Sequence, residues 1–129
     1  MAYFKDNKGQ SWDLMINVAA MRRAKAVGVD LSMPVAQLQQ FVMDDVFVAD
    51  CLYAIVKASM PGLTQESFDA LLDGKVLAEA REALWESLYE YFDSGKAEML
   101  RAAVASVQKE MEAAQASLTG SGSTESKGS

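Results

Sequence analysis

No histidine occurs in the 129 residues, and cysteine occurs once. The first absence removes the commonest general base and the commonest transition-metal ligand. The second excludes an internal disulfide and a thiolate zinc site. As a nucleophile, Cys51 would need an activating partner, usually a histidine, and the chain has none. Glycine-rich phosphate cradles and the nucleophile elbow of hydrolases are also missing. Asp44, Asp45 and Asp50 do not have calcium-loop spacing. No catalytic, metal-binding or cofactor-binding residue is therefore expected, and the chain reads as a non-enzyme.

Long apolar runs are missing too. None approaches the ~18 residues of a membrane-spanning helix. The opening Met1-Ala2-Tyr3-Phe4-Lys5-Asp6 lacks the basic-then-apolar layout of a signal peptide, so a cytoplasmic protein without membrane contact is expected. Positive charge is scarce. Lys and Arg number 12 against 18 Asp and Glu, giving a net charge of -6. Phosphate backbones repel such a surface, and the largest basic cluster, Arg22, Arg23 and Lys25, is too small to offset it. Nucleic acid is not an expected partner.

What remains is a single domain's worth of apolar and acidic residues. Tyr3-Phe4-Lys5, the turn formers Asp6-Asn7-Lys8-Gly9 and then residues 10–16 read as a β-hairpin. Trp12, Leu14 and Ile16 alternate with polar neighbours and face the core. Asn17 fits the N-cap of a helix ending at about residue 27, and Gly28 fits its C-terminal left-handed position. On this helix Val18 and Met21 are expected inside, with Arg22, Arg23 and Lys25 toward water. Pro34 suits the first turn of a helix reaching about Met43, with Val35, Leu38 and Val42 on one face.

Asp44 and Asp45 precede residues 46–56, which are apolar almost all round, as a buried central helix requires. Asp50 alone breaks that run. An ion pair with Arg22, Arg23 or Lys57, or a turn at the surface, is its expected role, and an interface contact is the alternative. Pro61-Gly62 ends the helix. Thr64 caps a short helix with Phe68, Leu71 and Leu72 inside and Gly74 closing it. Residues 75–93 form the clearest amphipathic helix, with Leu77, Ala80, Leu84, Leu88 and Tyr91 inward and Glu79, Glu82, Glu86, Glu90 and Asp93 outward. After Ser94-Gly95, residues 96–118 carry Leu100, Val104, Val107, Met111, Ala114 and Leu118 at heptad spacing.

The fold class expected is mainly α: an N-terminal β-hairpin packed on a bundle of about five to six helices, with a flexible C-terminal tail. Residues 1–118 form one helical domain, and residues 119–129 are Gly/Ser-rich linker. Charge is uneven. Residues 1–43 carry five basic and three acidic groups, net +2, whereas residues 44–74 carry one basic and six acidic groups, net -5. Two surfaces qualify as partner-binding. One is the heptad seam, Leu100, Val104, Val107 and Met111; the other is the acidic strip Glu79, Glu82, Glu86 and Glu90, which suits a basic helix. The seam is also compatible with a homo-oligomer. Truncation after Gly95 is expected to remove this helix and to weaken partner binding or oligomerisation more than it unfolds the rest. The eight methionines add side chains able to fit several sequences.

Several stretches carry a resemblance: residues 16–31, ending Gly28-Val29-Asp30-Leu31; Leu52-Tyr53; Ser67-Phe68-Asp69-Ala70-Leu71-Leu72-Asp73-Gly74; and residues 83–92. Together with the Trp12 hairpin they resemble small phage and prophage proteins described as tail assembly chaperones, over roughly residues 3 to 112. The resemblance implies a non-enzymatic assembly factor of long-tailed phages, working in the host bacterial cytoplasm and absent from the mature virion. Its implied partners are the tape measure protein and the tail tube protein. Many such proteins also exist in a form extended by ribosomal frameshifting, for which the Gly/Ser tail would serve as a linker. Alternatives outside that group are a head-tail joining or tail completion protein of the virion, and a bacterial adaptor or antitoxin-like interaction module.

Overall fold

The structure is a computed structural model. It describes the backbone of residues 2–128 and the side chains of residues 2–117. The chain is mainly α with a small N-terminal hairpin. Strands β1 (Tyr3–Lys5) and β2 (Ser11–Asp13) pair antiparallel, with Phe4 opposite Trp12. Gly9, at a φ of +84°, supplies the left-handed residue in the turn. The Asp6 carboxylate organises that turn, accepting from the Lys8 and Gln10 amides at 2.8 and 3.0 Å. It also accepts from Trp12 Nε1 at 2.8 Å, beneath the surface. Two bonds from Asn7 fix the tip to the end of the fourth helix, reaching the Leu71 and Ala70 carbonyls. The Trp12 ring meets Phe68 edge-on, with centroids 5.1 Å apart. A marginal hairpin is thus anchored from both ends.

Helix α1 (Val18–Ala26) begins where the Asn17 side chain accepts the Ala20 amide. It ends in a Schellman motif: Gly28 donates to the Lys25 carbonyl and Val29 to the Ala24 carbonyl. Gly28 takes the left-handed conformation at φ +88°. The buried face differs from the expected one. Ala20 and Ala24 face the core, while Val18 is 55% exposed. Small residues let α1 lie close against α3 (Asp45–Val56). Arg23 turns inward to donate to the Ala54 and Ile55 carbonyls, at 2.6 and 3.1 Å. A guanidinium at the end of α3 satisfies otherwise orphaned acceptors and meets the negative end of the helix dipole.

A 3₁₀ turn, Pro34–Gln37, leads into α2 (Leu38–Met43). Leu38 and Phe41 form its buried face, whereas Val35 lies outside and Val42 is only partly covered. The tighter 3₁₀ turn changes the phase between residues 35 and 38, so the expected single stripe does not form. The Asp44 side chain caps α3 through the Phe47 amide. Phe47, Val48, Cys51, Leu52, Ala54, Ile55 and Val56 are buried, which makes α3 the central helix.

Helix α4 (Gln65–Asp69) has a capping box between Thr64 and Ser67 and inserts Phe68 into the core. Gly74 does not close it. Asp73 accepts the Val76 amide at 2.9 Å, and α5 (Gly74–Tyr91) starts there. A carboxylate with extended backbone is the stronger helix-start signal, and the glycine merely follows it. Leu77, Ala80, Leu84 and Leu88 point inward as expected; Tyr91 is largely exposed. Trp85 is buried edge-on to Phe41, whose ring also meets Phe47.

Helix α6 (Ser94–Gly128) starts at the Asp93 carboxylate, which accepts the Lys96 amide. Ala97, Leu100 and Val104 belong to the core. The expected flexible tail, residues 119–129, lies outside the residues whose side chains are described. No buried side-chain nitrogen or oxygen among the described residues lacks a partner.

Candidate protein-binding surface

The heptad seam divides between two roles. Leu100 and Val104 are only 1% and 3% exposed, so they hold α6 to the fold and cannot meet a partner. Val107 and Met111, one and two turns further on, emerge at the surface. With Glu110, Ala114 and Gln115 they form one wall of a groove of about 410 Å³. The other wall is Gln39 and Met43 of α2. Met43 is 66% exposed, and its unbranched chain adapts to whatever lies beside it. Sequence reading counted Met43 only among the adaptable methionines and did not name Gln39. Their spacing of four residues puts them on one face of α2, but only the packing of α2 on α6 places that face beside Met111.

Glu79, Glu82, Glu86 and Glu90 are all exposed along α5. They do not line the groove. Glu79 borders a polar cleft with Lys5 and Lys75, and Glu90 an apolar dent with Met15 and Tyr91. Arg101 of α6 stacks over the Tyr89 ring, 4.5 Å from its centroid. Burial pushes the Tyr89 hydroxyl pKa up. Arg101 opposes that shift, and Glu82 and Glu86 add to it. The acidic strip is thus an exposed edge of α5, beside an aromatic-cation contact and apart from the groove.

The buried Cys51 thiol has its pKa pushed up strongly by desolvation, with the Asp50 charge adding to the effect. A thiol held neutral and covered is a poor nucleophile. Folded protein should therefore leave a colourimetric disulfide reagent almost unreacted, and full reaction should appear only on unfolding. Prompt reaction under native conditions would contradict this burial. No group of three or more potential metal ligands comes together among the described residues, and no described helix is long and apolar enough to cross a membrane.

Comparison with protein-family models, curated proteins and solved structures gave no match to this chain.

Proposed function

We propose that this chain is a non-catalytic tail assembly chaperone of long-tailed phages or prophages. In this reading the α2–α6 groove holds a helical segment of the tape measure protein, and the complex helps recruit tail tube subunits. The observation that carries the reading is the groove itself, an open apolar channel flanked by Met43 and Met111 on an acidic body. An amphipathic helix lays its apolar face into such a groove, and methionine walls accommodate different sequences along a long client. The net charge of -6 opposes self-association of a protein with exposed apolar surface. The residues that resemble tail assembly chaperones supply the identity of the client.

The test is co-expression with the tape measure protein of the same gene cluster. Wild-type protein should keep that partner soluble and co-purify with it. Met43→Glu combined with Met111→Glu should reduce affinity at least tenfold, about 1.4 kcal/mol, without loss of helical signal. Undiminished binding by the double variant would remove the groove from the interface. Recovery of the chain from purified particles would favour a joining or completion protein of the virion.

A further inference from the structure

Asp50 does not form the ion pair expected of it among the described residues. Arg23 is committed to the Ala54 and Ile55 carbonyls. Lys57 sits over the Tyr53 ring, 5.6 Å from its centroid. Arg81 bonds Asp45 at 2.5 Å and the Phe41 carbonyl at 2.7 Å. Among the described residues Asp50 has no cation within ion-pair reach. It lines a depression of about 210 Å³ together with Val46, Ala49, Leu72 and Leu77 and the carboxylates Asp45 and Asp69. Val46 is 69% exposed at its edge, among the most exposed large apolar residues of the chain. Burial, with Asp69 and Asp44 nearby, raises the Asp50 pKa. The segment that builds most of this face, residues 44–74, is the most acidic part of the chain at net -5.

Apolar walls beneath carboxylates that outnumber their cations complement one kind of surface. We propose that the depression between α3, α4 and the start of α5 is a second docking surface, which takes an aliphatic side chain flanked by lysine or arginine from another polypeptide. The aliphatic group covers Val46, Ala49 and Leu77. The cation meets Asp50 and Asp69, neither of which has an ion-pair partner among the described residues, although the Gln65 side-chain amide donates to Asp69 at 2.7 Å. Arg81 already answers Asp45, so one added positive charge beside Asp50 improves the local balance without crowding cations. This surface is separate from the α2–α6 groove and does not rest on the function proposed for it.

The probe is a capped helical peptide with leucine and lysine four residues apart, compared with a twin carrying glutamate in place of lysine. Binding to the full-length protein is read by fluorescence anisotropy at about 0.05 M and about 0.5 M salt, on either side of physiological screening. The lysine peptide should bind at least tenfold tighter than its twin, and salt should erode the difference. Asp50→Asn should abolish that preference while raising the melting temperature, because it removes a partly buried charge that has no counter-ion. Val46→Ser should weaken the lysine peptide several-fold and leave the fold intact. Equal binding of the twins, or an unchanged preference in Asp50→Asn, would overturn the proposal. Loss of the peptide in Met111→Glu would place it in the other groove and have the same effect. So would exclusion of the peptide by a dimer that covers Val46, since the occupant would then be a second copy.

Discussion

Truncation after Gly95 should leave a chain that no longer melts cooperatively. The deleted segment contains Ala97, Leu100 and Val104, all buried against the rest of the core. Cutting a buried leucine back to alanine costs about 2–5 kcal/mol. Removing the leucine, the valine and their backbone also opens the inner faces of α2 and α5 to water. Total stability for a domain of this kind is about 5–15 kcal/mol, so the loss consumes most or all of it. Near-UV circular dichroism should collapse, and apolar dye binding should rise. A chain ending at Gln108 should behave in the opposite way. It keeps Leu100 and Val104 but loses Met111, Ala114 and Gln115 from the groove wall. That form should melt within a few degrees of the full chain and, on the function proposed above, bind the tape measure protein poorly. Should the Gly95 truncation stay cooperative, α6 would be separable, and its apolar seam would have to be assigned to a partner after all.

The sequence supports the reverse expectation for that truncation, and the reason is physical. A heptad seam has the same spacing whether its apolar side meets α5 in the same chain or a helix from another protein. Periodicity shows that something covers Leu100, Val104, Val107 and Met111, but it does not say what. Where the determinant is local, the sequence was mostly legible, the exception being Asp73, whose side chain caps α5 where Gly74 reads as a helix end. Asn17, Asp44 and Thr64 each cap a helix start through their own side chains, as their chemistry dictates. Gly28 closes α1 because it tolerates a positive φ. Contacts between elements distant in sequence were not legible. Arg23 looks like a solvent residue on a basic helix, and only the approach of α3 gives it two carbonyls to cap. Ala20 and Ala24 look weak as a core face because their value lies in how close they let two backbones come. From sequence, Asp50 is expected to pair with Arg22, Arg23 or Lys57; the fold sends Arg23 and Lys57 to other partners and leaves Arg22 on the solvent side. Of the candidate surface, Val107 and Met111 could be read directly. The opposite wall could not, because Gln39 and Met43 lie some seventy residues from Met111 along the chain.

Asp6→Ala should be among the most damaging single changes, although it falls in a turn. The Asp6 side chain is buried and accepts three hydrogen bonds: from the Lys8 amide, the Gln10 amide and Trp12 Nε1. Alanine leaves all three donors without that acceptor. The indole N–H lies beneath the surface, where water does not readily replace a carboxylate. Orphaning a buried donor costs about 1–3 kcal/mol, and bonds to charged groups lie at the upper end. A loss of about 3 kcal/mol is expected, or about 10 °C in Tm for a domain of this size. Asp6→Asn keeps one oxygen acceptor and should lose less. The pH dependence separates the ionised contact from simple packing. Burial pushes the Asp6 carboxyl up, but the bonds from Trp12, Lys8 and Gln10, with the Lys8 charge, outweigh it and hold the pKa below the usual 3.8. A depressed carboxylate contributes stability that is fully present above its unfolded-state pKa and is lost as pH falls through the folded value. The gap between wild type and Asp6→Asn should therefore be widest near neutrality and shrink below 3.8. Asp50 works in the other direction. Its raised pKa means that protonation stabilises the fold, and that contribution disappears as pH rises through the folded value. Thermal melts of wild type, Asp6→Asn and Asp50→Asn over the same pH series should thus diverge with opposite slopes. A pH-independent gap for Asp6→Asn would show that the side chain acts by filling space and not by its charge.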